Sequence, residues 1–331
     1  MDVHWQDLEQ RLEPGVWCGL QLTVTGTNGD GFCVDVCPPK CIRIAISRRP
    51  LLWARIDEDH YGYDLLRAPG LSSIDVIPPM PFGVVNDISS SSAGFAADRA
   101  WACAYAEMLA ASNLSPLSTG RWHLGHYGRS FNKRSLSPEL IRAIVNQKTQ
   151  GYVVWDFGLD IYPITLRDMS RPDNGRVKAW RKHARGGTLP PVLLHWVSGL
   201  AAYVVLDGHD RLLAASLENV DAPALSLEPL REYEISSETK NAILAQLSKS
   251  LELSDRERAK PPGERLARAQ RLMDVDRANE LLLNAFVPDL GAGPSRARPL
   301  KGGLRQWTDE VRTAVSAHRL ERSSLLDGLD P

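Results

Sequence analysis

Between residues 151 and 227, short apolar runs alternate with charged, amphipathic stretches at a spacing that leaves few topologies open. "YVVWDF" and "IYPITL" have the β-branched and aromatic content of strands. "NGRVKAWRKHARGG" has the spacing of an amphipathic helix closed by glycines, "PPVLLHWV" and "AAYVVL" read as strands, "HDRLLAASLENV" as a helix and "APALSL" as a strand. Parallel neighbours need crossovers of a dozen or more residues, so this alternation predicts an α/β unit with some parallel pairing. Just upstream, "SPELIRAIVNQKTQG" predicts a helix capped by Ser137, begun at Pro138 and stopped by Gly151.

The flanks follow different patterns. "WCGLQLTVTG", "GFCVDV", "CIRIAIS" and "SIDVI" are short β-prone runs between turn signals. A loop carrying "PPMPFG" and "SSSSAG" leads to "FAADRAWACAYAEMLAASN", a buried-helix pattern with Ser92 as its cap. The fold class expected is therefore mixed, α+β with an α/β centre. Residues 1–115 form a β-rich α+β unit, 116–235 the α/β domain, 236–286 a helical extension, 287–303 a flexible Gly/Pro/Arg linker, and 304–331 a last helix and tail.

Thirty-nine basic and forty acidic residues leave a net charge of -1, so no global field draws the chain to nucleic acid or an anionic membrane. No apolar run approaches the ~20 residues of a membrane span, and the polar start "MDVHWQDLEQ" lacks the pattern of a secretory signal. The expectation is a cytoplasmic protein with no membrane contact, whose five cysteines are reduced thiols.

"YVVLDGHDRLLAAS", residues 203–216, passes from strand to helix through five polar or flexible residues. The first amides of such a helix lack internal partners and sit at the positive end of its dipole, which makes the turn an anion site with phosphate as natural occupant. A plain strand-to-helix turn, capped by Asp207 or Asp210, is the alternative. From residue 164 to 185, seven basic residues stand against two acidic ones. Val177, Trp180 and Ala184 share one face of the predicted helix while Lys178, Lys182 and Arg185 share another, and Lys178 is the first choice to reach a ligand.

The element order over residues 161–227, with "PPVLLHWV" on a strand and "LDGHDR" opening a helix, resembles the ParB/sulfiredoxin superfamily. The resemblance implies a cradle for nucleoside di- or triphosphates such as ATP, with Mg²⁺. Carried over by position, Gly208 supplies backbone amides, Arg211 a charge-assisted contact and His209 a further contact, while Lys178 and Thr188 belong by neighbourhood. Sulfiredoxin chemistry is excluded, because its catalytic cysteine position is His209 here. The sequence also resembles the free serine kinases, in which an acidic residue before the first helix acts as base; Asp173 holds about that place. The second histidine of their "DGHHR" is Asp210 here, so this sequence departs from their pattern.

Phosphoryl transfer needs a base, a metal and positive charge on the phosphates, roles that Asp173, Asp207, Asp210, Arg211 and Lys178 can divide. The leading expectation is Mg²⁺-dependent phosphoryl transfer to a small-molecule acceptor, or nucleotide hydrolysis. Alternatives are a non-catalytic nucleotide-gated or nucleic-acid-associated regulator, with the carboxy-terminal helices binding a protein partner, and a ParB-like nuclease. For the nuclease, "RWHLGHYGRSFNKR", residues 121–134, interleaves Trp122, Tyr127 and Phe131 with basic side chains, or else forms an inter-domain loop. "GERLARA", residues 263–269, mimics a CTP-binding motif but follows "DRERAKPP", which cannot be a buried strand. Cys18, Cys33, Cys37 and Cys41 have gaps that fit strand residues better than zinc knuckles, and His123 and His126 lack matching metal ligands around them.

Overall fold

The computed structural model describes residues 1–9, 15–26, 31–71, 76–78, 80–91, 94–128, 133–155, 162–232, 290–292 and 295–329, with isolated positions between 238 and 256. Its amino-terminal third is built of β1 (Asp2–Glu9), β2 (Trp17–Thr25), β3 (Phe32–Cys37), β4 (Cys41–Ile46), β5 (Arg49–Asp57) and β6 (Gly62–Arg67). In β2 the period-two pattern is plain, with Leu20, Leu22 and Val24 buried and Thr23 exposed between them. Two helices follow, α1 (Phe82–Ser91) and α2 (Gly94–Ala111), then β7 (Gly120–Gly125), β8 (Ser135–Leu136), α3 (Pro138–Val145), β9 (Gln150–Val154) and β10 (Ile164–Thr165). The centre closes with α4 (Gly175–Arg185), β11 (Val192–Val197), β12 (Ala202–Asp207), α5 (His209–Glu218) and β13 (Ala222–Glu232). Last come β14 (Leu290–Ala292), β15 (Ala297–Pro299) and α6 (Gly303–Ala317).

Two mixed sheets result. The first runs β1-β2-β7-β13-β11-β12-β10, with β8 and β14 also on β13; the second runs β15-β3-β4-β5-β6-β9. The expected parallel pairing is present, β10 with β12 and β11 with β13, while β11 and β12 are antiparallel. Helix α2 packs on β2 and β7, α5 lies between α3 and α4 and touches β11 and β13, and α6 covers β3 and β4. One hydrophobic cluster, from Trp17 to Leu325, joins these layers.

Several expectations need correction. The boundary at residue 115 is not a break, because β2 pairs with β7 and β7 with β13, while β9 completes the sheet begun by β3 to β6. Hydrogen-bonded strands from both sides share one core, so the two segments are not separate units. The segment 287–303 is not simply a linker, since β14 pairs with β13 and β15 runs parallel to β3. The helix begun at Pro138 is capped by Ser137 as expected, but it ends at Val145, and Gly151 lies inside β9. Within "SIDVI", Val76 and Ile77 are buried without being in a strand, and the rest of that run lies outside the described residues. Strands β1, β5 and β6 and helix α1 carry no strong local signal; their stability comes from pairing and packing. Ser92, "GERLARA" and most of the helical extension at 236–286 lie outside the described residues.

Candidate functional site

Strand β12 ends at Asp207 and α5 begins at His209, with Gly208 between them at φ 104 and no side-chain cap. That conformation suits glycine. A Cβ at residue 208 would stand 2.9 Å from Arg211 Nη2 and 3.1 Å from Val192 Cα. The glycine therefore admits the chain's own packing, and the first amides of α5 stay uncapped, as an anion-receiving helix start requires.

Arg211 is 3 % exposed and does not reach outward. Its Nη2 donates to Asp207 Oδ2 at 2.5 Å and to Tyr105 Oη at 2.9 Å, and its guanidinium lies 5.6 Å from the Trp180 ring centre. The Tyr105 hydroxyl in turn donates to the Pro191 carbonyl at 2.6 Å. Burial disfavours the Arg211 charge, but Asp207 and Tyr105 outweigh it and leave the pKa raised. The expectation that Arg211 contacts phosphate is corrected on this geometry: it is a buried clamp between α2, α5 and the end of β12.

Asp210 is likewise engaged. Its Oδ1 accepts from Arg167 Nη2 at 2.9 Å and from Ser170 Oγ at 2.7 Å, and Arg176 Nε stands 3.8 Å from Oδ2. Burial pushes this carboxyl up, yet Ser170 and Arg167 prevail and hold it below its ordinary value. His209 is 2 % exposed, and burial first, then Arg167, Arg67 and Arg211, push its pKa well down. It is therefore neutral at pH 7, and its Nε2 has no partner among the described residues. Arg67 joins the group from β6, donating to the Thr165 hydroxyl, to Arg167 O at 3.2 Å and to Gln147 O at 3.1 Å. Asp168 Oδ1 lies 3.4 Å from its Nη2. Four arginines thus converge on the start of α5 against Asp168, Asp207 and Asp210.

The remaining expected site residues fall on and around α4. Arg176 faces Asp210 while Arg181 and Arg185 face Glu218 at the far end of α5, so the two helices lie side by side in one direction. Lys178 is exposed on α4, and Asp173 is exposed just before it. Asn174, not Asp173, caps α4, its side chain accepting from Arg176 N at 2.8 Å. Thr188 Oγ1 pairs with His183 Nδ1 at 3.0 Å beyond the carboxy end of α4, away from the Arg176 end. The structure therefore gathers Gly208, His209, Asp210, Asp207 and Arg211 into one knot, leaves Lys178 exposed on α4 and Asp173 exposed just before it, and sets Thr188 apart. Sequence reasoning missed Arg167 and Ser170 as partners of Asp210, although both lie in the basic segment 164–185. Arg67 is nearly a hundred residues away and carries no local signal.

The other clusters resolve differently. "RWHLGHYGRSFNKR" is not an exposed groove, because Trp122 and Tyr127 are buried and unavailable for stacking bases, while residues 129–132 lie outside the described ones. His123 and His126 are both buried, His123 Nε2 against the Cys18 carbonyl at 3.2 Å and His126 Nε2 against Asp98 at 3.0 Å. Cys37 faces Cys41 across the β3–β4 hairpin, whereas Cys18 lies in the other sheet, its thiol toward the Leu8 carbonyl. Among the described residues, no three His, Cys, Asp or Glu side chains are grouped as a metal would need. Compared with known proteins, the chain matches no family model, no curated protein and no solved structure.

Proposed function

We propose that this chain is a cytoplasmic protein that binds a nucleoside di- or triphosphate at the amino end of α5, in a ParB/sulfiredoxin-like arrangement of residues 161–227. The observation that carries the reading is the uncapped start of α5, opened by Gly208 at φ 104 and ringed by Arg67, Arg167 and Arg176. Helix amides and guanidinium groups together are a common way to hold phosphate oxygens. Arg176 and Lys178, exposed cations in the first half of α4, take the outer phosphates, while Arg211 positions the turn from beneath. Mg²⁺ is commonly held by one or two carboxylates and the substrate's phosphates. Asp173, exposed and unpaired among the described residues, fits that donor set, whereas Asp207 and Asp210 are committed to arginines. With the nucleotide in place, Asp173 also stands nearest to the role of base toward an acceptor hydroxyl, giving phosphoryl transfer or hydrolysis.

A second reading has its own support. With both turn carboxylates engaged in ion pairs, the site holds little acid–base machinery, which suits a nucleotide-gated regulator that binds without turnover. Isothermal titration with ATP, ADP and CTP plus Mg²⁺, followed by a phosphate-release assay, distinguishes the readings. Nucleotide binding weakened at least tenfold in Arg176→Ala supports the site. Turnover lost in Asp173→Ala supports the enzyme, and binding without turnover supports the regulator. Absence of binding for every nucleotide refutes the proposal.

A further inference from the structure

A cavity of about 100 Å³ lies at the junction of the two sheets, lined by Phe32, Cys33, Trp122, His195, Arg296 and Arg298 among others, and by no residue of the α5 turn. A strap carrying residues 295–300 lies along one side. Ser295 Oγ donates to Trp196 O at 2.9 Å, Ser198 N donates to Ser295 Oγ at 2.9 Å, and Ser295 N donates to Ser198 Oγ at 2.8 Å. Two residues on, β15 is in register with β3. The strap thus bridges the end of β11 in one sheet and β3 in the other.

The polar groups around this cavity have defined roles. His195 is 2 % exposed, with its ring 5.3 Å from Phe32 and 6.0 Å from Trp122 between centroids. Its Nδ1 lies 2.9 Å from the Leu227 carbonyl, which can only accept, so Nδ1 carries the proton and Nε2 offers a lone pair. Nε2 has no partner among the described residues, and burial lowers the ring's pKa to about 4, keeping it neutral. Beside it, Arg298 Nη2 donates to Cys33 Sγ at 3.0 Å while Arg298 Nε is fixed on Asp35 at 2.6 Å. Asp35 is shared with Arg43, which also pairs with Glu310. Three arginines therefore stand against two carboxylates, and the unbalanced one is Arg296, which is exposed and forms no ion pair among the described residues.

A neutral imidazole acceptor lining the same cavity as an unbalanced guanidinium asks for a ligand with a hydrogen-bond donor and an anionic group. A cavity of about 150 Å³ holds benzene, so this one has room for roughly four or five heavy atoms. We propose that the cavity binds a small hydroxycarboxylate, its carboxylate on Arg296 and its hydroxyl donating to His195 Nε2, with the Cys33 thiol alongside.

The test uses the full chain and three probes: glycolate, with both groups; acetate, with only the carboxylate; and ethylene glycol, with only the donor. Affinity by titration is expected in the order glycolate, acetate, ethylene glycol, with about tenfold between the first two, the worth of one hydrogen bond. His195→Phe, which keeps an aromatic ring between Phe32 and Trp122, reduces glycolate to the level of acetate. Arg296→Ala, at an exposed side chain, weakens both carboxylates alike and keeps the control independent of folding. As a second readout, iodoacetate alkylates Cys33, the thiolate forming the S–C bond as iodide leaves. Site-resolved mass spectrometry should show iodoacetate favoured over iodoacetamide at Cys33 relative to Cys103 in the same chain, with glycolate protecting Cys33. Equal affinities for the three probes, binding unaffected by both substitutions, or no protection of Cys33 overturns the proposal and leaves a water-filled cavity.

Discussion

The pair formed by Asp207 and Arg211 gives the sharpest test of what the polar turn is for. In Arg211→Met the side chain keeps much of its volume but loses its charge, leaving Asp207 and Tyr105 without their shared donor. In Asp207→Asn the reverse occurs, and a guanidinium 3 % exposed is left facing a neutral amide with no way to shed its proton. Removing one member of a buried pair costs about 3–5 kcal/mol, because an uncompensated charge remains in the interior. For 331 residues an unfolding entropy of about 2.1 cal/mol/K per residue makes 4 kcal/mol a fall of about 6 °C in Tm. The double variant removes both charges, so its loss should be smaller than the sum of the single losses by at least about 2 kcal/mol. Urea unfolding followed by circular dichroism measures all three. If Arg211→Met stays within about 1 kcal/mol of the parent while nucleotide binding disappears, Arg211 is a ligand contact and the clamp assigned to it is wrong.

Three other outcomes follow from the same geometry. Gly208→Ala must place a Cβ at φ 104, 3.1 Å from Val192 Cα, and should lose at least about 2 kcal/mol in urea unfolding. Stability should also fall with acidity, because His123, with a pKa near 3, His195, near 4, and His209, also depressed, remain neutral in the fold but protonate in the unfolded chain below pH 6.5. Glu228 opposes them: burial raises its pKa to about 7 against the 4.5 of the unfolded chain, so its contribution is full below pH 4.5 and is lost as pH rises through 7. Between pH 6 and 5 these four groups together therefore bind about two more protons in the unfolded chain than in the fold, contributing a slope of about 2.7 kcal/mol per pH unit, and Glu228→Gln should steepen it to about three protons. Asp210→Asn should weaken nucleotide binding less than Arg176→Ala in calorimetry, since Asp210 orients Arg167 and Ser170 while Arg176 is the exposed cation that the proposed site offers to phosphate.

Much of the centre was legible because its signals are local. Ser137 and Pro138 mark a helix start by capping chemistry, and the alternation from β9 to β13 follows from side-chain periodicity. β7 was not legible, because Gly120, Arg121 and His123 disguise a strand whose Trp122 and Leu124 are buried between two neighbours. Nor was the division into units. β15, read as part of a linker, exists as a strand because β3 supplies its hydrogen bonds from a segment more than 250 residues earlier.

By itself the sequence determined where the chain turns from strand to helix at Gly208, which charges gather around α4, and the mixed α+β class, since these depend on neighbours in the chain. Only the tertiary structure decided what those charges touch. Arg211 meets Tyr105 from α2 and turns inward, Arg67 arrives from the second sheet, and His195 faces a cavity edged by Arg298 from the strap. Burial and partner geometry decide whether a charged side chain binds a ligand or holds the fold together, and both are set by contacts between segments far apart in the chain.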